Sequence, residues 1–413
     1  MQITRRSALK QASGGALLSA LPALAADARD PGVVPDYEKP LLALDKVSGA
    51  PVKIASIELL RNGSNYFLKS TSTDGATGIV RTKQVEDFVP ILMRQVIPYF
   101  LGKDARDLER LIDGVYIANY KLAGQAFWCP VAYVEQSLLD LLGKVAGKPV
   151  GELLGGVIRR EIPVYLSGSV RDTTAEREVE IYVRAVEQTG GRAVKFKIGG
   201  RMSRNADAYP GRTERMMELA RKKLGDKMVL YTDANGSYNA AKAIEVGRWL
   251  ESLNVQFFEE PCPFEELSDT RRVADALRMA VAGGEQDASL WRFQWMIENR
   301  VVDIVQPDLN YNGGLIRAAR VARMARAAKI PIVPHNTQTG ASGFHIVQFA
   351  SAIPNTGPYM EYPWRGDEKP ASWFSPHLEV RNGTIKVPAG HGMGVQFDPD
   401  YLKKARKVEA CAV

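Results

Sequence analysis

Three short strand-like runs each end in a carboxylate: VLYTDANGSY with Asp233, VQFFEEPCP with Glu259 and VAGGEQ with Glu285, at equal intervals of 26 residues. That interval fits one strand plus one helix, so the carboxylates fall at the same end of three successive parallel strands. Oxygen ligands alone, with no Cys or His among them, favour one hard divalent ion such as Mg2+ over zinc. A second group lies upstream in AVKFKIG, where Lys195 and Lys197 alternate along a strand and share a face about 6.6 Å apart. At that separation, with an effective dielectric near 20, their repulsion is roughly 2.5 kcal/mol, or nearly two pKa units before a metal ion adds its own charge, and a lysine lowered that way can be a neutral base near pH 7. A third group follows downstream, with Asp308 in QPDLN and His335 in PHN on the next strand end. A carboxylate beside an imidazole fixes its tautomer and raises its basicity. Glu361 in YMEYPW offers one more hydrogen-bonding group at the same mouth.

The elements that must position these residues alternate. From Ile162 the runs IPVYLSG, AVKFKIG, MVLYTDAN, VQFFEEP, AVAGGEQ, DIVQPDLN, PIVPHN and PYMEYP read as strands, and the first seven each lead into a helical pattern. Eight such units make an α/β chain with a (β/α)8-type barrel, whose active site forms at the C-terminal ends of its strands. No Gly-rich phosphate loop opens the series, which argues against a doubly wound nucleotide-binding sheet. Before the barrel, VKIASIELL, a tight Arg61-Asn62-Gly63 turn and NYFLKSTSTDGATGIVRT read as antiparallel strands. Helical patterns follow them, the order of a separate α+β domain. The expected organisation is a leader over 1–26, an arm over 27–50, an α+β capping domain over 51–160, the barrel over 161–365, and a C-terminal segment over 366–413 that packs back on the capping domain.

Composition narrows the partners. The 413 residues include 45% hydrophobic types, enough for a large core, and the formal charge is +7. Arg5, Arg6 and Lys10 account for three of those positives before the first acid, Asp27, so the remainder is too small to argue for nucleic acid. Cys129, Cys262 and Cys411 are an odd number without close spacing, so neither a disulfide framework nor a zinc site is expected. TRRSALK followed by GGALLSALPALA reads as a twin-arginine signal, with a small-residue cleavage site near Ala23-Leu24-Ala25. The apolar run is too short for stable membrane insertion, and a periplasmic location is expected.

Taken together, the capping region, the KFK pair, the Asp233-Glu259-Glu285 set, the Asp308 and His335 dyad and Glu361 resemble the enolase superfamily, mandelate racemase branch, over residues 52 to 365. The resemblance implies that Lys197 is a base on one face of a small carboxylate substrate and His335 acts on the other. It also implies that Asn235 touches substrate, and that Mg2+ stabilises the enediolate formed when the proton next to a carboxylate is removed. Dehydration of a sugar acid to a 2-keto-3-deoxy acid is the leading expectation, racemisation or epimerisation of a 2-hydroxy acid the second, and an inert periplasmic binding protein a distant third. A homo-oligomer is expected. The resemblance also exposes a departure. Relatives carry a longer loop where this chain has only the Arg61-Asn62-Gly63 turn, so the 27–50 arm or YKLAGQAFWCP, with Phe127 and Trp128, is the candidate cover for the barrel mouth. The insertion GGRMSRNADAYPGR is a candidate contact for an acidic substrate or a neighbouring subunit.

Overall fold

Side chains that alternate inward and outward on short apolar strands dictate a closed sheet, and the computed structural model shows one. It describes residues 36–408 apart from positions 43, 45, 46, 48, 169 and 367–369. The Arg5-Arg6 pair and the rest of the 1–26 leader lie outside those residues, as does Cys411; Cys129 and Cys262 are buried free thiols. No helix among the described residues is long and apolar enough to cross a membrane.

The N-terminal sheet is an antiparallel meander of β1 (Ile54–Asn62), β2 (Asn65–Ser72) and β3 (Thr77–Arg81), with Arg406–Lys407 added at the free edge of β1. Its inner face packs on the helix Gln125–Ala146. The stretch after β3 is helical from Val85 to Phe100 but changes its hydrogen-bond spacing along the way, with Pro90 and Pro98, which lack a backbone donor, in the first turns of its α-helical pieces Val89–Ile91 and Ile97–Phe100. The described residues of the arm, from Asp36 on, do not line the barrel mouth. Leu41 and Leu42 donate their backbone N–H groups to the Glu109 carboxylate at 2.9 and 2.8 Å, and Arg323 grips the carbonyls of Asp36 and Lys39. These contacts hold the arm against the outer helix Leu315–Ala327.

Barrel strands β4 (Glu161–Ser167), β5 (Ala193–Lys197), β6 (Val229–Asp233), β7 (Val255–Glu259), β8 (Ala280–Gly283), β9 (Ile304–Val305) and β10 (Met360–Pro363) run parallel, and β10 closes on β4 with Glu361 opposite Tyr165. The expected seventh strand, PIVPHN, is reduced to single bridges from Ile332 to Val305 and Thr356. Pro331 and Pro334 flank Ile332 and cannot donate to a ladder, so the sheet is pinned there by one residue. The hairpin of Val380–Arg381 and Thr384–Lys386 adds to the lower half of β4. Inside the barrel, Tyr165, Ala193, Tyr231, Phe257, Ala282, Ile304 and Val333 make an apolar floor. Tyr231 and Phe257 stack with centroids 3.8 Å apart. Two residues further along β5, β6 and β7 the inward positions turn polar, and Lys197, Asp233 and Glu259 stand in one register row.

Among the contacts that tie the two domains, one caps a barrel helix. Glu135, fully buried in the helix Gln125–Ala146, accepts the Leu315 and Ile316 N–H groups at 2.7 and 2.8 Å and so caps the barrel helix Leu315–Ala327 with an acid at its positive end. Gly314, at φ +113, makes room for it: a Cβ there would lie 2.1 Å from Glu135 Oε2. Gly314→Ala should therefore lower stability by about 2–4 kcal/mol through backbone strain and overpacking. An unchanged urea midpoint would show that the capping contact is not a fixed joint.

Candidate active site

The row of polar side chains above the floor converges. One oxygen each from Asp233, Glu259 and Glu285 can be chosen so that all lie within 4.8 Å of one another, and all three residues are buried. The three form a cluster able to hold a divalent cation, with donors that are oxygen only. The fit shows in what the protein leaves unanswered: Glu285 Oε2 and Glu260 Oε1 are buried without a hydrogen-bond partner. The Glu285 oxygen lies 3.3 Å from His335 Nε2, an ion-pair distance without hydrogen-bond geometry. Burial and the neighbouring carboxylates push Glu260 well above the usual range, a crowding that a divalent cation relieves.

Lys195 is fully buried, with Nζ 2.7 Å from both Glu259 oxygens and 2.8 Å from Glu361 Oε1. The charge of Lys195 is decided by these carboxylate partners. Burial disfavours the Lys195 charge, but Glu259 and Glu361 outweigh it and hold the ammonium well above its ordinary value. Lys195 is thus a fixed cation, and Glu361, whose Oε2 accepts the Asn336 N–H at 2.8 Å, positions it from across the barrel seam. Lys197 pairs with Asp233 Oδ2 and lies 3.3 Å from Asn235 Oδ1. Burial raises the Asp233 carboxyl, but Lys197, Lys195 and Arg171 together hold it well below its ordinary value. Asn235, in the left-handed region at φ 41, donates its N–H to Asp233 Oδ1 at 2.8 Å and its side-chain amide to Glu260 at 3.2 Å. It therefore faces the cavity with its orientation fixed.

On the other wall, His335 Nδ1 is 2.9 Å from Asp308 Oδ2, while Asp308 Oδ1 accepts the N–H groups of Asn310 and Tyr311 at 2.7 and 3.0 Å. Burial alone would lower the imidazole; Glu285, Asp308 and Glu361 overcome it and raise it to about 10. The dyad directs Nε2 at the carboxylate cluster.

Lys197, Asn235, Glu260, Glu285, His335 and Glu361 line a cavity of about 390 Å³. A larger cleft of about 670 Å³ lies at the opposite end of the barrel beside Glu161, Arg192 and Tyr359, with none of these groups in it. The cavity wall includes residues that sequence reasoning passed over. Glu260 follows Glu259 directly, and alternation assigns it outward; its φ of 40 turns the chain at the strand end, and the side chain lines the cavity instead. The signal was the Glu-Glu doublet. Gln306 donates to Glu259 Oε2 at 2.9 Å. Lys83, at the exit of β3, sends its ammonium to Thr337 Oγ1 while Tyr133 holds its carbonyl. The capping domain thus reaches the mouth through Lys83. Phe127 and Trp128 are buried away from the mouth, where Trp128 stacks on Tyr116 and beneath Arg317. The insertion after β5 forms part of the wall: Arg201 N–H bonds to Ser237 Oγ at 3.0 Å and Met202 N–H to Asn235 O at 3.0 Å.

A cation cluster with proton-transfer groups on two sides is the equipment of a metal-assisted lyase or racemase. Comparison places it in a lineage: the chain belongs to the enolase superfamily in its mandelate racemase and muconate-lactonizing branch, matching the family described as Enolase C-terminal domain-like over residues 178–401. A racemase candidate of known structure from Roseobacter denitrificans is 38% identical, with a TM-score of 0.82 over 86% of this chain and 99% of that one. The mandelate racemase/muconate lactonizing protein from Paracoccus denitrificans, solved with magnesium, is 28% identical with a TM-score of 0.80 over 87% of this chain and 100% of that one. Arabinonate dehydratase from Saccharolobus solfataricus is 28% identical over 365 residues, 86% of this chain and 91% of that protein.

Proposed function

We propose that the chain is a Mg2+-dependent dehydratase of a sugar acid, removing the proton next to the carboxylate and a hydroxyl from the adjacent carbon to give a 2-keto-3-deoxy acid. Mg2+ held by Asp233, Glu259 and Glu285 supplies positive charge opposite the substrate carboxylate. Lys195, fixed as a cation by Glu259 and Glu361, adds a second charge beside the same oxygens, where negative charge grows as the proton leaves. Lys197 takes the α-proton. His335, oriented by Asp308, delivers a proton to the departing β-hydroxyl, which leaves as water, and the resulting enol tautomerises to the keto acid. The observation that carries this reading is the placement of Lys197 and His335 on different walls, with the carboxylate cluster between them. A relative named for dehydration of arabinonate supports the dehydration outcome.

The same two-walled arrangement supports racemisation as the second reading, since a proton returned from the opposite face inverts the α-carbon. One screen separates them: sugar acids incubated with Mg2+ in deuterium oxide, reading 2-keto acid and α-deuterium together. Keto acid is the expected product; α-deuterium without keto acid would favour the racemase, and neither would leave the inert binding-protein reading.

Export belongs to this proposal and rests on Arg5, Arg6 and the apolar run that follows. Replacing both arginines with lysine should trap the protein in the cytoplasm, and unchanged periplasmic delivery would show that the leader was misread. Homo-oligomer formation is likewise proposed, and a particle of monomer mass in light scattering would remove it.

A further inference from the structure

The charges lining the cavity are sorted by depth. Every carboxylate among its described lining residues, Glu260, Glu285 and Glu361, sits in the inner ring with the cation cluster or on Lys195. Among the described lining residues, the outer rim carries Arg201 and Arg365 and no acid. Neither arginine has a carboxylate within ion-pair distance among the described residues; Arg365 donates only to the Thr337 carbonyl at 3.2 Å, and the one Arg201 hydrogen bond is made by its backbone. Lys83 adds a third positive group beside Arg365, with burial lowering it first and Arg365 lowering it further.

The topology gives that rim a direction. The cation cluster is built on β6, β7 and β8, whereas Arg201 follows β5 and Arg365 follows β10, so the two arginines flank the end of β4 at Ser167 and Gly168. A substrate whose carboxylate lies against the cluster therefore extends its far end between the two guanidinium groups. The backbone that presents Arg201 is also unusual: Arg201, Met202, Arg204 and Asn205 all have φ between +52 and +75, a region most non-glycine residues avoid. That segment is held in place by the hydrogen bonds from Arg201 and Met202 to Ser237 and Asn235. Two arginines held on either side of an open end match the planar, two-point recognition that guanidinium groups give carboxylates and phosphates.

We propose that Arg201 and Arg365 bind a second anionic group at the far end of the substrate, so that the natural substrate is a doubly charged sugar acid, a polyhydroxy dicarboxylate, rather than a sugar acid with one carboxylate. The inference rests on the dehydratase reading and narrows it. It also gives the rim a kinetic use, since unopposed positive charge at a cavity mouth draws anions inward and falls in effect as salt rises. A phosphate monoester at the same end would meet the same two groups, and the test separates the sources.

Calorimetric titration of the Mg2+-loaded wild type with galactarate, galactonate, gluconate and 6-phosphogluconate reads affinity, and 2-keto acid formation is followed on the same acids. Galactarate should bind more tightly than galactonate by roughly 10- to 100-fold, the usual worth of a charge-assisted contact. Arg201→Gln with Arg365→Gln should bring those two affinities together. A gain for 6-phosphogluconate over gluconate without one for galactarate would overturn the dicarboxylate assignment. Galactonate binding as tightly as galactarate, or a double variant that keeps the full preference, would overturn the far subsite. Those results leave the dehydratase reading intact wherever 2-keto acid still forms. Absence of 2-keto acid from every acid, with galactarate still bound preferentially, would remove the reaction and keep the subsite.

Discussion

Lys197→Ala should lose proton exchange on one α-epimer of the substrate while keeping it on the other, and His335→Asn should do the reverse. The two side chains reach the cavity from β5 and from the segment after Ile332, with the carboxylate cluster between them. An α-carbon held at that cluster shows one face to each, so neither base can substitute for the other. Each loss should be roughly 10²- to 10⁴-fold, the usual contribution of a positioned acid or base. The histidine variant should also lose elimination of the β-hydroxyl, since its Nε2 is the proton donor on that wall. Epimers exchanged at wild-type rates in both variants would reduce Lys197 and His335 to binding charge.

Glu259→Gln should abolish Mg2+-dependent turnover while leaving the fold in place. The amide keeps the shape of the carboxylate, and Lys195 retains Glu361 at 2.8 Å. Losing one charged ligand removes several kcal/mol of stabilisation from the developing anion, on the order of 10³-fold in rate. Thermal unfolding gives an independent readout. At Mg2+ a hundredfold above its dissociation constant the wild type should gain about 2.7 kcal/mol, and the variant little. Full activity in the variant at low Mg2+ would take Glu259 out of the ligand set.

The parts of this site that the sequence disclosed are those set by periodicity. Asp233, Glu259 and Glu285 repeat with the strand-helix unit, and KFK, YTD and FFE each show an inward apolar or basic residue followed two positions later by an inward polar one. What escaped reading lies where the period ends. Glu260 enters the cavity only because a left-handed residue turns the strand end, and Lys83 and Arg365 sit on connections with no repeat to betray their direction, whereas Arg201 falls in the insertion expected to meet an acidic substrate. The charge on Lys195 is set by partners that its own strand does not show. Its nearest like charge is two residues away in sequence, but one of the acids that decides the matter, Glu361, arrives from the last barrel strand. The bridge at Ile332 could have been anticipated from Pro331 and Pro334.

The pairing of β1 with Arg406–Lys407 bears on when this protein can finish folding. During synthesis the N-terminal sheet emerges long before its edge partner at Arg406–Lys407. The first barrel strand waits in the same way, for β10 on one side and for the Thr384–Lys386 hairpin strand on the other. Neither domain can complete its hydrogen-bonded edges until those distant strands are made, and such distant pairings are slow to form. Assembly is therefore expected to wait until residue 407 is available, and a ribosome stalled before residue 406 should display a chain that proteases still cut throughout the capping region.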